Sequence, residues 1–334
     1  MSIESDNPME GSARRKLVYI LSPSFSGSTL LTMLLAQHPG IATIGELKAT
    51  AMGPTEEYVC SCEQAIRSCP FWKTLKERCA DAGVSFDVSE FNTHFGSSGR
   101  LSDRVLGAQV RGRLFERIRK ALLDSPVLRS TYRKILQRNA RLIELICELQ
   151  GAGLFLDGSK DPQRLMYFQR SGHWDIRVIR LHRDGRAQSN SRRLKTRNPV
   201  DFQGAVTEWR GTILQMDRVC QSLGPDQIHT LQYEQLCGDP QKVMGDIWRF
   251  LDVEPVEQDW SKVDLRKREH HILGNSMRTK DKIQISMDTK WRERVNKEEL
   301  GLFEREAGEL NRSLGYTTEP VSGISGREHV TPRV

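Results

Sequence analysis

The stretch Lys16–Leu35, KLVYILSPSFSGSTLLTMLL, decides the fold. Leu17 to Leu21 is a short apolar run rich in strand formers. It breaks at Ser22-Pro23-Ser24, crosses Ser26-Gly27-Ser28-Thr29 and resumes as an apolar segment with helical spacing to about Gln37. The pattern reads as strand, tight turn and helix N-terminus. A helix start leaves backbone N–H groups unpaired and carries the positive end of the macrodipole, so it suits a phosphate. Gly27 lets backbone approach an anion closely, and the Ser28 and Thr29 hydroxyls add donors. Taken alone, the stretch also reads as an ordinary buried strand–helix connection. The segments downstream tip the balance.

A triphosphatase loop, G-x-x-x-x-G-K-[ST], needs a lysine directly after its second glycine. Here Ser28 follows Gly27, and Ser22 stands where the first glycine would be. A phosphate cradle without that lysine resembles the 5′-phosphosulfate loop of sulfotransferases that use 3′-phosphoadenosine 5′-phosphosulfate (PAPS), P-[RK]-[ST]-G-[ST]-[ST]-x-L. Ser26, Gly27, Ser28, Thr29 and Leu31 fit that pattern. Ser24 replaces its proline and Phe25 its basic residue, so another cation must meet the phosphosulfate.

The second phosphate motif begins with the strand pattern IRVIRLH, residues 176–182, and continues RDGRAQSNS. It resembles the family's 3′-phosphate motif, a strand followed by R-[DN]-P-[RK]-x-x-x-x-S, with Arg183 and Ser191 at the matching positions. Arginine at a strand end offers a bidentate phosphate ligand, and Ser191 falls about two turns along the next helix. Gly185 replaces the commoner proline, a change expected to alter turn stiffness more than chemistry. Both motifs occur in the family's order.

Between them, LFLDGSKDP (154–162) is a strand ending beside Lys160. Ligands of open α/β sheets bind at the carboxyl ends of strands, which places Lys160 well. Lys160-Asp161-Pro162 also resembles a segment of tyrosylprotein sulfotransferases in which the lysine stabilises the transferring group. Lys160 is thus the expected substitute for the missing cation at Phe25. In the same relatives and many bacterial ones, a glutamate after the phosphate loop acts as general base, and Glu46 is the matching candidate here. A carboxylate can do this work when it reaches the acceptor hydroxyl. His38 and His94 stand in reserve.

The resemblance continues through a helix expected at about 206–223, a strand IHTLQYE, and Glu234-Gln235-Leu236 ahead of Pro240. It implies Tyr233 as neighbour of the adenine, though a core tyrosine reads equally well. It also implies that residues 270–291 form a loop closing over the nucleotide. Arg278 is the choice for a basic residue on the 3′-phosphate, with Lys280 behind it. The full set expected to hold the nucleotide is Ser26, Gly27, Ser28, Thr29, Leu30, Arg183, Ser191, Tyr233 and Arg278.

The chain has 334 residues, 37% apolar, with a net charge of +7. Such a balance suits a nucleic-acid binder or a site for a polyanionic small molecule. Aromatics are only 7%, and no stacking module interleaves them with basic residues, so no nucleic-acid partner is expected. No segment approaches the ~18 apolar residues needed to span a bilayer. The N-terminus MSIESDNPMEGSARRK lacks a secretory apolar core, and Golgi members of the family carry an anchor there. The expectation is a cytoplasmic protein with a disordered leader, 1–15, and a disordered tail, 317–334.

Two further segments frame the domain. Cys60, Cys62, Cys69 and Cys79 are spaced C-x-C-x6-C-x9-C, with no histidine in the segment. A zinc site, reduced thiols beside Phe71-Trp72 and a disulfide all fit, and no metal is assigned. Residues 100–150 look like paired helices. Leu106, Val110, Leu114, Ile118 and Leu122 are expected to form one apolar stripe, opposite the solvated Arg104, Arg111, Arg113, Arg117, Arg119 and Lys120. Ser125-Pro126 then opens a helix ending at Gly151.

The resemblance spans about residues 16–316. It implies an α/β fold, a P-loop-kinase-like parallel sheet flanked by helices, with a helical insertion at about 60–150. It implies transfer of the sulfuryl group of PAPS, with PAP as product, to an acceptor hydroxyl of a small molecule or peptide, and the chain could pair as a homodimer. No carboxylate is clearly placed to hold Mg²⁺ beside the loop. Two alternatives stand beside this reading: an ATP-dependent small-molecule kinase, against which the absent loop lysine argues, and a non-catalytic PAP-binding protein, which Phe25 keeps open.

Overall fold

Strand β1 (Lys16–Leu21) is fully buried from Leu17 to Leu21, as a central strand of a parallel sheet covered on both faces must be. In this computed structural model, the described residues are 14–50, 52, 54–96, 101–195, 198–260, 263–264, 270–280, 282–283 and 285–317. After β1 come α1 (Ser28–Leu35), β2 (Ile41–Thr43), α2 (Pro70–Asp81), α3 (Leu101–Gly107), α4 (Arg113–Leu123) and α5 (Pro126–Gln150). Then follow β3 (Leu154–Lys160), α6 (Pro162–Ser171), β4 (Asp175–His182), α7 (Gly185–Arg193), α8 (Phe202–Cys220), β5 (Ile228–Gln232), α9 (Tyr233–Gly238) and α10 (Pro240–Leu251). Two short strands, β6 (Val263–Asp264) and β7 (Lys282–Ile283), pair antiparallel, and α11 (Trp291–Arg294) and α12 (Lys297–Ser313) complete the order. The expected leader lies almost wholly outside the described residues, and so does the expected tail beyond residue 317.

The chain divides into two compact units, residues 1–183 with 211–287, and residues 184–210 with 288–334. The first holds a five-stranded parallel sheet of order β2-β3-β1-β4-β5. Alternation along β1 feeds both faces. Val18 and Ile20 join Leu30, Leu31 and Leu34 of α1 and Met244, Ile247 and Trp248 of α10 in one apolar cluster. Tyr19 points the other way, its ring edge-on to Phe168 of α6 with centroids 6.3 Å apart. Each buried aliphatic side chain of this kind contributes about 1.5–3 kcal/mol.

Local chemistry bounds α5 and α6 where the sequence expects it to. Asp161 caps α6, its carboxylate accepting from Gln163 N at 3.0 Å, with Pro162 at the first helical position. Ser125-Pro126 opens α5, and Gly151, at φ 66°, closes it. α8 begins and ends earlier than its apolar pattern suggests.

The expected apolar stripe and solvated arginine face of residues 104–122 both fail. Leu106, Val110, Leu114, Ile118 and Leu122 do not form one stripe, because the helix is interrupted between Gly107 and Arg113. Leu106 and Val110 are buried, whereas Leu114, Ile118 and Leu122 are exposed. Nor are all the arginines solvated. Arg119 is 2% exposed, donates to Gln109 O at 2.7 Å and covers the Phe115 ring. The i, i+4 spacing survived the break by coincidence.

In the second unit Asp184 caps α7, accepting from Arg186 N at 3.0 Å, and Arg186 returns a guanidinium bond to the same carboxylate at 2.7 Å. A Cβ on Gly185 would meet Phe303 and Trp209 ring atoms at 2.7 Å. The position is therefore too closely packed to admit a side chain. Asn296 and Glu299 form a capping box at the start of α12.

Candidate active site

Every strand of the parallel sheet delivers a singled-out residue at or just beyond its carboxyl end. Across the sheet the order is Glu46 after β2, Lys160 in β3, the 22–29 loop after β1, Arg183 after β4 and Tyr233 after β5. The loop sits at the point where connections diverge to the two sides of β1, the position where open α/β sheets bind ligands.

The loop is shaped as an anion cradle. Gly27, at φ 88°, caps α1, and the first intrahelical bond runs from Leu31 N to Gly27 O at 3.1 Å. The amides of Ser28, Thr29 and Leu30 therefore have no acceptor within the helix. Ser26 is fully buried, and its Oγ has no hydrogen-bond partner among the described residues. That buried donor and the amides fit a phosphate oxygen. The Leu30 side chain belongs to the apolar core, so only its backbone can serve a ligand.

Tyr233 lies directly on the loop: a Cβ on Gly27 would stand 2.4 Å from its ring. The Arg183 guanidinium lies 4.8 Å from the same ring and donates from Nη1 to Phe25 O at 3.0 Å. The Tyr233 hydroxyl donates to Ser286 O at 3.3 Å. The β4 and β5 ends are thus packed onto the 22–29 loop. Ser191 lies in α7 of the second unit, two turns along as its spacing requires.

On the other side of the loop, Lys160 and Glu46 form an ion pair with side chains 16% and 19% exposed. Their meeting depends on an irregularity in β3. Tyr19 pairs with Asp157 and Leu21 with Lys160, so β3 carries one extra residue across that interval. Lys160 adopts φ 67°, uncommon for a residue with a Cβ and typical of strain held at functional positions.

Beneath the pair is a network that sequence reading missed. Arg164, 1% exposed, donates to Asp157 Oδ2 at 2.8 Å, Asn139 Oδ1 at 2.5 Å and Thr93 O at 2.6 Å. Ser159 N donates to Asp157 Oδ1 at 3.0 Å, and Lys48 N to Ser159 Oγ at 2.9 Å. Lys48 Nζ pairs with Asp161. The bulge is therefore fastened from below by buried charge and from the side by the chain after Glu46. An aspartate ending an apolar strand was the one visible signal.

Segment 270–280 lies along the same rim. Ile272 N donates to Ile44 O at 2.8 Å, and Asn275 N to Thr29 Oγ1 at 3.0 Å. Arg278 donates from Nη1 to Val59 O at 2.8 Å and covers the Tyr58 ring at 5.0 Å, while Lys280 is exposed. His38, a reserve base, has both nitrogens engaged, with Gly40 N at 3.0 Å and Glu254 O at 3.0 Å. His182, at the end of β4, is 2% exposed; burial, helped by nearby Arg180, pushes it down to about 3 and keeps it neutral.

Among the described residues, no helix is long and apolar enough to cross a membrane. No curated protein sequence matches the chain. Among solved structures, the sulfotransferase domain of the Synechococcus PCC 7002 olefin synthase superposes with a TM-score of 0.53 at 19% identity, covering 94% of this chain and 99% of that one. A sulfotransferase domain from the curacin biosynthetic pathway gives 0.50 at 17% identity, covering 90% and 98%. At these identities the likeness is one of fold. Residues 18–258, most of the chain and all but the first two residues of the parallel sheet's five strands, match the family model of sulfotransferases, and the chain belongs to the sulfotransferase family.

Proposed function

We propose that the protein transfers the sulfuryl group of PAPS to a hydroxyl acceptor, with Glu46 as general base and Lys160 as the cation at the reacting end. The observation carrying this reading is the Glu46–Lys160 pair on one side of an anion cradle whose buried Ser26 hydroxyl has no partner among the described residues. PAPS supplies an activated sulfuryl group on a leaving bisphosphate. The residues of this chain do the rest. Glu46 takes the proton of the acceptor oxygen as that oxygen attacks. Lys160 Nζ, with the amides of residues 28–30 and the Ser26 and Thr29 side chains, opposes negative charge on the departing oxygen. In the resting pair each side chain orients the other.

The roles proposed for Arg183 and Ser191 on the 3′-phosphate rest on their spacing, and that of Arg278 on its place in the 270–291 loop. Arg278 must exchange its contacts with Val59 O and Tyr58 to take that role. Tyr233 is proposed to flank the adenine, a role its ring beside Arg183 and Gly27 supports.

Labelled PAPS incubated with sugars, phenols, tyrosyl peptides and lipids tests the reaction, and calorimetry with PAP and AMP tests the site. Label should move to one acceptor class, and PAP should bind more tightly than AMP. Equal affinities would remove the 3′-phosphate assignments. Transfer of phosphoryl from ATP with none from PAPS would replace the reaction.

A further inference from the structure

The three cysteines of residues 60–69 are brought together with a histidine distant in sequence. Cys60, Cys62, Cys69 and His270 offer ligand atoms that all lie within 4.8 Å of one another. Cys62 Sγ is 3.6 Å from Cys69 Sγ, and His270 Nδ1 is 3.2 Å from Cys69 Sγ and 3.7 Å from Cys60 Sγ. Cys79 is outside the group.

We propose that these four residues bind one zinc ion in a closed Cys3His structural site.

Tetrahedral geometry gives the first argument. With Zn–S about 2.3 Å and Zn–N about 2.0–2.1 Å, ligand atoms stand ~3.8 Å apart for S···S and ~3.6 Å for S···N. The two S···N separations, 3.2 and 3.7 Å, lie either side of the second value, and the Cys62–Cys69 separation of 3.6 Å is close to the first. A disulfide would have to close the 3.6 Å gap to about 2.05 Å and would leave the third thiol and the imidazole unused. Thiolates with imidazole select zinc over the hard cations, and four protein ligands leave no open position for catalysis.

The surroundings give the second. Residues 58–69 fold back on themselves through the Val59–Ala65 bridge, with Cys60 N donating to Gln64 O at 2.9 Å. This places Cys60 on one limb, Cys62 in the turn and Cys69 at the start of α2, its N-cap position. The His270 ring is stacked flat on Phe71, 3° from parallel with centroids 4.7 Å apart, which fixes its direction. Trp72 Nε1 donates to Cys60 Sγ at 3.4 Å, the kind of outer bond that orients a metal-bound thiolate.

The ion would clasp the segment after His270 to the loop after β2. That segment already ties to the first through His271 N to Ser61 Oγ at 2.7 Å and Leu273 N to the Tyr58 hydroxyl at 2.6 Å. It then continues to Asn275 against Thr29 and to Arg278. Zinc binding releases the thiol protons to solvent and adds its binding free energy to the folded form. The site stands whether or not the chain uses PAPS.

The test is metal content. The full chain, isolated without chelator or immobilised metal, should carry about one zinc per chain by mass spectrometry of the metal, released by a thiol-directed mercurial. Cobalt in its place should give the intense visible bands of a tetrahedral thiolate site. Cys62→Ser and His270→Ala should lower zinc retention at least tenfold, and Cys79→Ser should leave it unchanged. Metal-free protein whose three thiols react at once with a thiol reagent overturns the proposal. So does an intact mass showing a Cys62–Cys69 disulfide. Should the variants precipitate, the zinc content and cobalt spectrum of the unaltered chain decide alone.

Discussion

Lys160→Ala removes the cation held beside Glu46. At about 4 Å and an effective dielectric near 20, two unit charges interact by about 4 kcal/mol. Only the charge that develops between ground and transition state counts. A change of about half a charge on the departing oxygen leaves ~2 kcal/mol, or ~30-fold in rate. Donors built into dry sites can contribute ~10²–10³. With its side chain 16% exposed, Lys160 should fall between these limits, so kcat is expected to drop ~30- to 1000-fold. Stability should change far less, because Glu46 keeps access to water once its partner is gone. The assay is transfer of label from PAPS to a competent acceptor, with PAP affinity and thermal midpoint measured on the same preparation. Phe25→Arg in the Lys160→Ala background should recover part of the rate, since that loop position is where relatives carry a basic residue. Wild-type kcat in Lys160→Ala, with the acceptor saturating, would refute the argument that Phe25 left a vacancy for Lys160 to fill.

Glu46→Gln should leave PAP affinity within a few-fold while lowering turnover ~10²-fold or more; turnover near wild type would assign the base elsewhere. Gly27→Ala puts a Cβ 2.4 Å from Tyr233 at φ 88°, with about 1–2 kcal/mol of backbone strain besides, so PAP affinity should fall at least ~10-fold. Unchanged affinity would show that the loop does not hold the ligand. Burial pushes His182 down to about 3 in the fold, against near 6.5 when unfolded, so between those pH values the unfolded chain binds the extra proton. Its contribution is complete above pH 6.5 and lost as pH falls, about 2 kcal/mol by pH 5. Denaturant midpoints of the wild type should therefore drop more steeply between pH 7 and 5 than those of His182→Gln, and parallel slopes would contradict it.

What the sequence disclosed was local. The strand-turn-helix at Lys16–Leu35, the Arg183–Ser191 spacing and the Ser125-Pro126 helix start are each specified by neighbours a few residues away, where propensity and capping act. The stripe from Leu106 to Leu122 misled because periodicity continued in register through a non-helical interval bounded by Gly107 and Arg113. Convergence over long separations was invisible. His270 lies 201 positions from Cys69, and nothing near either residue marks the other. Arg164 carries no local mark of its role, and only its burial beside Asp157 and Asn139 shows that it supports the Lys160 bulge.

The extra residue in β3 works as a frame shift in space. Side chains along a strand alternate between two sides, so a single inserted residue reverses the sense of everything after it. Tyr19 and Leu21 keep the cadence of β1 while their partners run from Asp157 to Lys160, and the lysine emerges on the side that the uninterrupted rhythm would have denied it. Its aim is thus stored in the length of the chain as much as in its chemistry. A lineage could keep every charged residue at this edge and still lose the pairing with Glu46 by dropping one glycine.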